Sequence, residues 1–163
     1  MTTEDHPQAS RSGYDCALLR AQGAVTAIGK HDRNTQGGGY DYTSSETLIG
    51  VCGKALNNAG LTCVRLKVAV GEWSEHALTT RSGVQQMFTA AVQMVFRVAH
   101  AESGFCEDHR FEFPAVVNSA GKPFDKAVAG ALTASEGYFL RDLLMVSRGH
   151  DQYDLDRSDV PHG

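Results

Sequence analysis

The chain has 163 residues, of which 42% are hydrophobic and 21% charged. This is the composition of one globular domain that can bury its own core, and it argues against a second domain. A membrane span needs about 18 consecutive apolar residues, and no apolar run in the sequence is that long. The net charge of −4 argues at first against a nucleic-acid-binding protein.

The charge is uneven along the chain, however. Residues 1–15 hold three acidic residues and one arginine, and residues 142–163 hold five aspartates and two arginines. The body between them holds twelve lysines and arginines against eleven acidic residues. A weakly basic body with acidic ends is compatible with a local stripe of phosphate-binding cations, although composition alone does not indicate one.

The first residues, MTTEDHPQASRSG, lack the basic and then apolar layout of a signal peptide. We therefore expect residues 1–13 to be a flexible leader, residues 14–150 to form the folded core and residues 151–163 to be a short acidic tail. The protein is expected to be cytoplasmic. Its four cysteines are widely separated and contain no Cys-x-x-Cys pair, which favours reduced thiols that pack in the fold.

Two helices are predicted in the first part of the chain. The first spans residues 17–28, where apolar positions recur at roughly helical spacing and Gly23 weakens the pattern. The second spans about residues 44–59. Thr43 and Glu46 have the spacing of a capping box at its start, and Gly60 stands where a left-handed C-terminal residue belongs.

The segment NTQGGGYDYTSSETLIG at residues 34–50 lies between these helices. Its three glycines suggest a phosphate-binding loop, but no Gly-Lys-Ser/Thr follows and no strand clearly leads in. Tyr40 and Tyr42 alternate in this glycine-rich stretch. Two interpretations stay open: the tyrosines stack on the bases of a single strand, or they pack the loop onto the core.

Three antiparallel strands are predicted next. LTCVRLKVAV at residues 61–70 alternates strictly, so that Arg65 and Lys67 share one basic face. VQQMFTAAVQMVFRVAH at residues 84–100 fits a helix or a strand by periodicity. The alternation of RFEFPAVV at residues 110–117 and the AESGF turn between the two segments favour a long antiparallel hairpin.

A long helix is predicted to begin at Pro123 and to end at Gly149, with apolar residues at helical spacing between them. The order is then two helices, three antiparallel strands and a final helix. This order predicts an α+β fold, in which helices pack on one face of a three-stranded antiparallel sheet.

A catalytic site has one candidate location, the cluster of Cys106, His109 and His100 near the hairpin turn. A Cys-x-x-His pair can begin a nucleophilic or metal site, but neither reading has a further partner at a diagnostic spacing. Glu107 and Asp108 alternate to opposite sheet faces and are not expected to converge. We therefore expect no enzyme, and a small Cys/His-dependent hydrolase or metalloenzyme is the alternative.

The spacing of the cations supports a binding function better than the Cys/His cluster supports a catalytic one. Arg65 and Lys67 are two residues apart, about 6.6 Å by strand rise, which is close to the phosphate repeat of an extended single strand. Lys122 and Lys126 lie four apart at the start of the last helix, and Arg141 lies on the same helix. The competing interpretation is that charges on an exposed strand face serve solubility.

The segments YDYTSSETLI, Gly60-Leu61, AESG and KPFDKAVAGALTASEGYFLRDLLMV, followed by HDQYDLD, resemble the ERF (essential recombination function) family of phage-type single-strand annealing proteins. The resemblance covers about residues 14–156. In the last helix, two positions depart from the family pattern: Ala134 replaces a usual tyrosine and Gly137 a usual arginine. The residues that match the pattern there are Ala131, Leu132, Thr133, Tyr138 and Leu140.

The resemblance implies an annealing core that assembles into rings or helical filaments, needs no cofactor and pairs complementary single strands in DNA recombination and repair. The implied partners are single-stranded DNA, further copies of the chain, and an exonuclease or a single-strand DNA binding protein, with no membrane. Gly130 and Gly137, seven apart on the last helix, are predicted to permit close approach between copies. A structural oligomer without nucleic-acid activity is a third interpretation.

Overall fold

A computed structural model gives the fold, and it describes residues 10–25, 27–28, 32–33, 41–80, 83–118 and 123–148. These residues form an α+β fold, which confirms the predicted class. The helices are α1 (Arg11–Ala24), α2 (Ser45–Asn58) and α3 (Phe124–Leu143). The main sheet contains β4 (Leu61–Val70), β5 (Ser74–Thr80), β6 (Gly83–His100) and β7 (Cys106–Asn118), and the short strands are β1 (Ala27–Ile28), β2 (Asp32–Arg33), β3 (Asp41–Tyr42) and β8 (Ser147–Arg148).

The long strand β6 organises the antiparallel main sheet. β7 pairs along one side of β6, which confirms the predicted hairpin. β4 and β5 lie end to end along the other side, and the Gly71 N–H between them donates to the Ala91 carbonyl at 2.8 Å. The sheet therefore has four strands rather than the predicted three, but it is three strands wide. The missed strand, SEHALTT, is largely polar and its residues 74–79 are exposed, so it carries no clear apolar alternation.

The first helix is displaced from its predicted position. It begins at Arg11 rather than residue 17 and ends at Ala24, and Ile28 belongs to the short strand β1. Its buried face consists of small residues around Tyr14, while Leu19 is 69% exposed. The prediction followed the large aliphatic residues, but alanines allow α1 to approach the rest of the core closely.

The start of α2 is capped by Ser44, one residue later than predicted. The Ser44 side chain accepts a hydrogen bond from the Thr47 N–H at 3.2 Å, which satisfies a free donor of the first turn. At the other end Gly60 has φ of +80°, as predicted for a left-handed terminus. The glycine turn leads directly into β4.

The last helix ends at Leu143, earlier than the predicted Gly149, which lies outside the described residues. Met145 follows in the left-handed region with φ of 53°, although it is not a glycine. The turn directs Val146 into the core and leads to β8, which pairs in parallel with β1. Because no glycine marks this end of α3, the sequence did not indicate that the helix ends here.

The core lies between the three helices and one face of the main sheet. At its centre the rings of Phe96 and Phe139 stack with centroids 4.4 Å apart and planes 7° apart, so that α3 is fixed on β6. Ser135 of α3 donates a hydrogen bond to the Met94 sulfur of β6 at 2.8 Å. In the described ranges, no helix combines the length and apolar character that crossing a bilayer requires.

Tyr14 of α1 is a buried polar group whose hydroxyl has no hydrogen-bond partner among the described residues. Burial, with a contribution from the Glu107 carboxylate, raises the pKa of Tyr14 from 10.0 to about 12. The folded protein therefore keeps the phenol proton where the unfolded chain would release it. The stability of the protein is therefore unaffected by this ionisation below pH 10 and falls as the pH rises from 10 towards 12.

Replacing Tyr14 with phenylalanine is expected to raise the free energy of unfolding at neutral pH by about 1 kcal/mol, because a buried hydroxyl without a partner is removed. The loss of stability between pH 10 and pH 12 should also become shallower. Urea unfolding of both proteins across this pH range checks the expectation. A less stable Tyr14→Phe protein at neutral pH would contradict the assignment of an unpaired hydroxyl.

Candidate nucleic-acid interface

The two faces of the main sheet differ in what covers them. Even-numbered residues of β6 from Ala90 to His100 are buried towards the helices, whereas the odd-numbered residues point to the other side. We call this second side the open face, because no described helix packs on it. By strand alternation and pairing, its central side chains are Lys67, Ala69, Gln93, Val95, Arg97, Asp108, Arg110 and Glu112.

Arg65 and Lys67 lie on opposite faces of the sheet. The prediction that they share one basic face was therefore wrong. A β-bulge separates the two residues: Arg65 pairs with Phe96, and Lys67 pairs with Val95. Because Phe96 and Val95 point to opposite sides of β6, so do Arg65 and Lys67. One extra residue, Leu66, reverses the alternation that the sequence displays.

Arg65 lies on the helix side, where α3 engages it. Its guanidinium is 3.5 Å from a Glu136 carboxylate oxygen and donates a hydrogen bond to the Leu132 carbonyl at 3.4 Å. Its charge is therefore matched within the chain. Arg65 fixes the edge strand to α3 and is a poor candidate for binding an external phosphate.

Lys67 instead belongs to a row of side chains that crosses the open face. Val95 pairs with Lys67 on one side and with Arg110 on the other, so the two cations flank one valine. Strand spacing puts their backbones about 9.6 Å apart. Neither cation has an ion-pair partner among the described residues, and both line a shallow depression of about 470 Å³.

Both acidic side chains next to this row are engaged by neighbours. The Arg97 guanidinium donates two hydrogen bonds to Asp108, at 2.7 and 2.8 Å. This contact lowers the pKa of Asp108 and raises the pKa of Arg97. Gln93 donates to the Glu112 carboxylate at 3.1 Å. Arg97 therefore neutralises Asp108, whereas Glu112 keeps its negative charge two residues from Arg110.

The aromatic rings of the described strands lie on the other face of the sheet. Phe88 and Phe96 of β6, and Phe111 and Phe113 of β7, all point towards the helices by the alternation of their strands. Among the described residues, the open face presents no Phe, Tyr or Trp side chain. The described part of this face therefore offers cations, two carboxylates, amides and small aliphatic groups. Its cations suit a phosphate backbone rather than stacked bases.

Of the other predicted DNA-binding residues, the two whose side chains are described, Lys126 and Arg141, lie on α3 and not in this row. Lys126 is exposed in the first turn of α3. Arg141 contacts Asp142 at 3.0 Å and lies over the Tyr138 ring at 4.7 Å, so its charge is partly used within the helix. Lys122 and Tyr40 lie outside the described residues, and only the backbone of Tyr42, in β3, is described.

The candidate catalytic cluster is separated by the pairing of β6 with β7. Cys106 pairs with Ala99 and points to the open face, whereas His109 pairs with Phe96 and lies against the Phe139 ring on the helix side. His100 is buried and its Nδ1 contacts Ser103 Oγ at 2.9 Å. Over the part of the chain that is described, no three His, Cys, Asp or Glu residues are grouped closely enough to hold a metal ion.

Sequence reasoning missed Arg110, although a signal for it was present. A turn centred on AESG at residues 101–104 places Val95 opposite Arg110, as observed. Using that register would have identified one cation of the pair. The other cation, Lys67, lies on the same face as Arg110 only because of the bulge, which the register of the hairpin does not predict.

Comparison with known proteins adds no family assignment: no protein-family model matches the chain, and no curated protein matches it.

Proposed function

We propose that this protein binds single-stranded DNA and anneals complementary strands without a nucleotide cofactor, as a phage-type recombinase in recombination and repair. The observation that carries the proposal is the Lys67–Val95–Arg110 row, where two cations without ion-pair partners among the described residues flank one position of an uncovered sheet. Sequence resemblance to single-strand annealing proteins agrees with this use of the face.

The composition of the open face favours a particular mode of binding. Cations hold phosphates of any sequence equally well, and the described residues of this face include no aromatic ring on which a base could stack. A strand held by its backbone would keep its bases available to a second strand. Holding one strand extended lowers the entropic cost of aligning the other, which is the step that annealing accelerates.

Assembly of several copies belongs to the proposal, because the protein has a net charge of −4 and the two cations of the row are few for a polyanion. The outer edge of β4 has no partner strand among the described residues, and four aliphatic side chains of β4 are at least 40% exposed. These features fit contact with further copies in a ring or filament. Such an array would join the individual rows into a longer path for DNA. The exposed side chains are those of Val64, Leu66, Val68 and Val70.

Affinity for a labelled oligothymidylate, measured by fluorescence anisotropy at increasing salt concentrations, tests the proposed binding. We expect binding at low salt that weakens linearly on logarithmic axes, with a slope set by the number of phosphates contacted. An oligonucleotide of mixed sequence should bind similarly. Absence of binding at low salt would contradict the function and favour a structural oligomer or an enzyme.

A further inference from the structure

The Arg97–Asp108 pair lies on the open face, one row away from Lys67 and Arg110. Arg97 follows Val95 by two residues on β6, and Asp108 precedes Arg110 by two residues on β7. All of these side chains therefore point to the same side of the sheet. The two rows are about 6.6 Å apart along the strand direction, which is one phosphate repeat of an extended single strand.

The contact between Arg97 and Asp108 has the geometry by which arginine binds phosphate. Two parallel hydrogen bonds at 2.7 and 2.8 Å join the guanidinium to both carboxylate oxygens. Arginine uses the same fork for carboxylates and phosphates. The pair is also accessible, since the two side chains are 42% and 43% exposed. A phosphate at this position could therefore replace the carboxylate without any change in the guanidinium fork.

From this geometry we propose that Asp108 is an internal competitor of DNA, which occupies the phosphate-binding group of Arg97 and limits the affinity of the open face. The inference rests on the proposed function. When a strand runs along β6, one phosphate lies between Lys67 and Arg110 and the next reaches Arg97. Binding at Arg97 must then displace Asp108, so the gain from the third cation is offset by the ion pair that is lost.

Replacing Asp108 with asparagine tests this inference, because the change keeps the size of the side chain and removes the competing charge. The expected result is roughly tenfold tighter binding of an oligothymidylate. The slope of log affinity against log salt should also steepen by about 0.7, the contribution of one further phosphate contact. Fold should be retained, because an exposed ion pair contributes little to stability.

The matched control is Asp125→Asn, which makes the same charge change at an exposed position on α3. It should leave the salt slope unaltered. The gain of Asp108→Asn should also disappear when Arg97→Ala is combined with it, since no guanidinium is left to bind the phosphate. An equal effect of Asp108→Asn and Asp125→Asn, or a gain that persists without Arg97, would overturn the inference.

The outcomes separate this inference from the proposed function. If the parent protein binds the oligothymidylate and Asp108→Asn binds with the same affinity and slope, competition by Asp108 is wrong and DNA binding stands. If neither protein binds at low salt, both proposals are wrong. Binding by Asp108→Asn alone would support competition by Asp108 and contradict the proposed function, because the parent protein would not bind DNA.

Discussion

Replacing Lys67 and Arg110 together with alanine is expected to weaken single-strand binding by roughly 100-fold, about tenfold for each charged contact that is lost. Both cations lack an ion-pair partner among the described residues, so their full charge is available to phosphates. The salt slope should flatten by about 1.4, because each single-strand phosphate contact contributes about 0.7. Anisotropy titrations at several salt concentrations measure both quantities.

The control for this double variant is Arg65→Ala. It removes one positive charge from the same strand as Lys67, but from the helix side, where Arg65 pairs with Glu136. Its salt slope should equal that of the parent. A slope that falls for Arg65→Ala and not for Lys67→Ala/Arg110→Ala would place the DNA on the helix side and contradict the open-face site.

Replacing Gly137 with valine is expected to lower the free energy of unfolding by about 1–3 kcal/mol, the usual cost of overpacking a closely packed position. A β-carbon at Gly137 would lie 3.1 Å from the Ser45 α-carbon and 3.2 Å from the Ser45 carbonyl oxygen. The backbone of α2 therefore occupies the space that a side chain would need. Urea unfolding of the variant and the parent measures the difference.

Gly50→Val separates this clash from the low helix propensity of valine. Gly50 is an exposed residue inside α2, and a β-carbon there would meet nothing within 4 Å. Equal stabilities of the two valine variants would show that α2 and α3 are not in close contact at Gly137.

The packing around Gly137 also contradicts one argument for assembly. The sequence predicts that Gly130 and Gly137 bring two copies together, but Gly137 packs α3 against α2 of its own chain. Assembly is better argued from the unpaired edge of β4 than from this helix.

The fold was predictable where one periodic signal was long enough to dominate. The β6–β7 hairpin combines sustained alternation with a clear turn, and its register follows from the position of AESG. The start of α1 was missed because the helix buries alanines and Tyr14 in place of its larger aliphatic residues. Propensity patterns do not show which of several apolar faces will find a partner.

The candidate site was less predictable than the fold for a specific reason. A bulge changes the face of every residue that follows it in a strand, and LTCVRLKVAV alternates so regularly that nothing in it marks the extra residue. Lys67 was therefore identified as a binding candidate but assigned the wrong neighbour. Its actual partner in the row, Arg110, becomes visible once the three strands are aligned.

The most direct test of the account is the rate at which two complementary oligonucleotides, one with a fluorophore and one with a quencher, pair in the presence of EDTA and without nucleotide. The account predicts pairing that is faster with the protein than without it, and a smaller acceleration by the Lys67→Ala/Arg110→Ala protein. Equal pairing rates with and without the protein, under salt conditions where it binds each strand, would contradict annealing as its function.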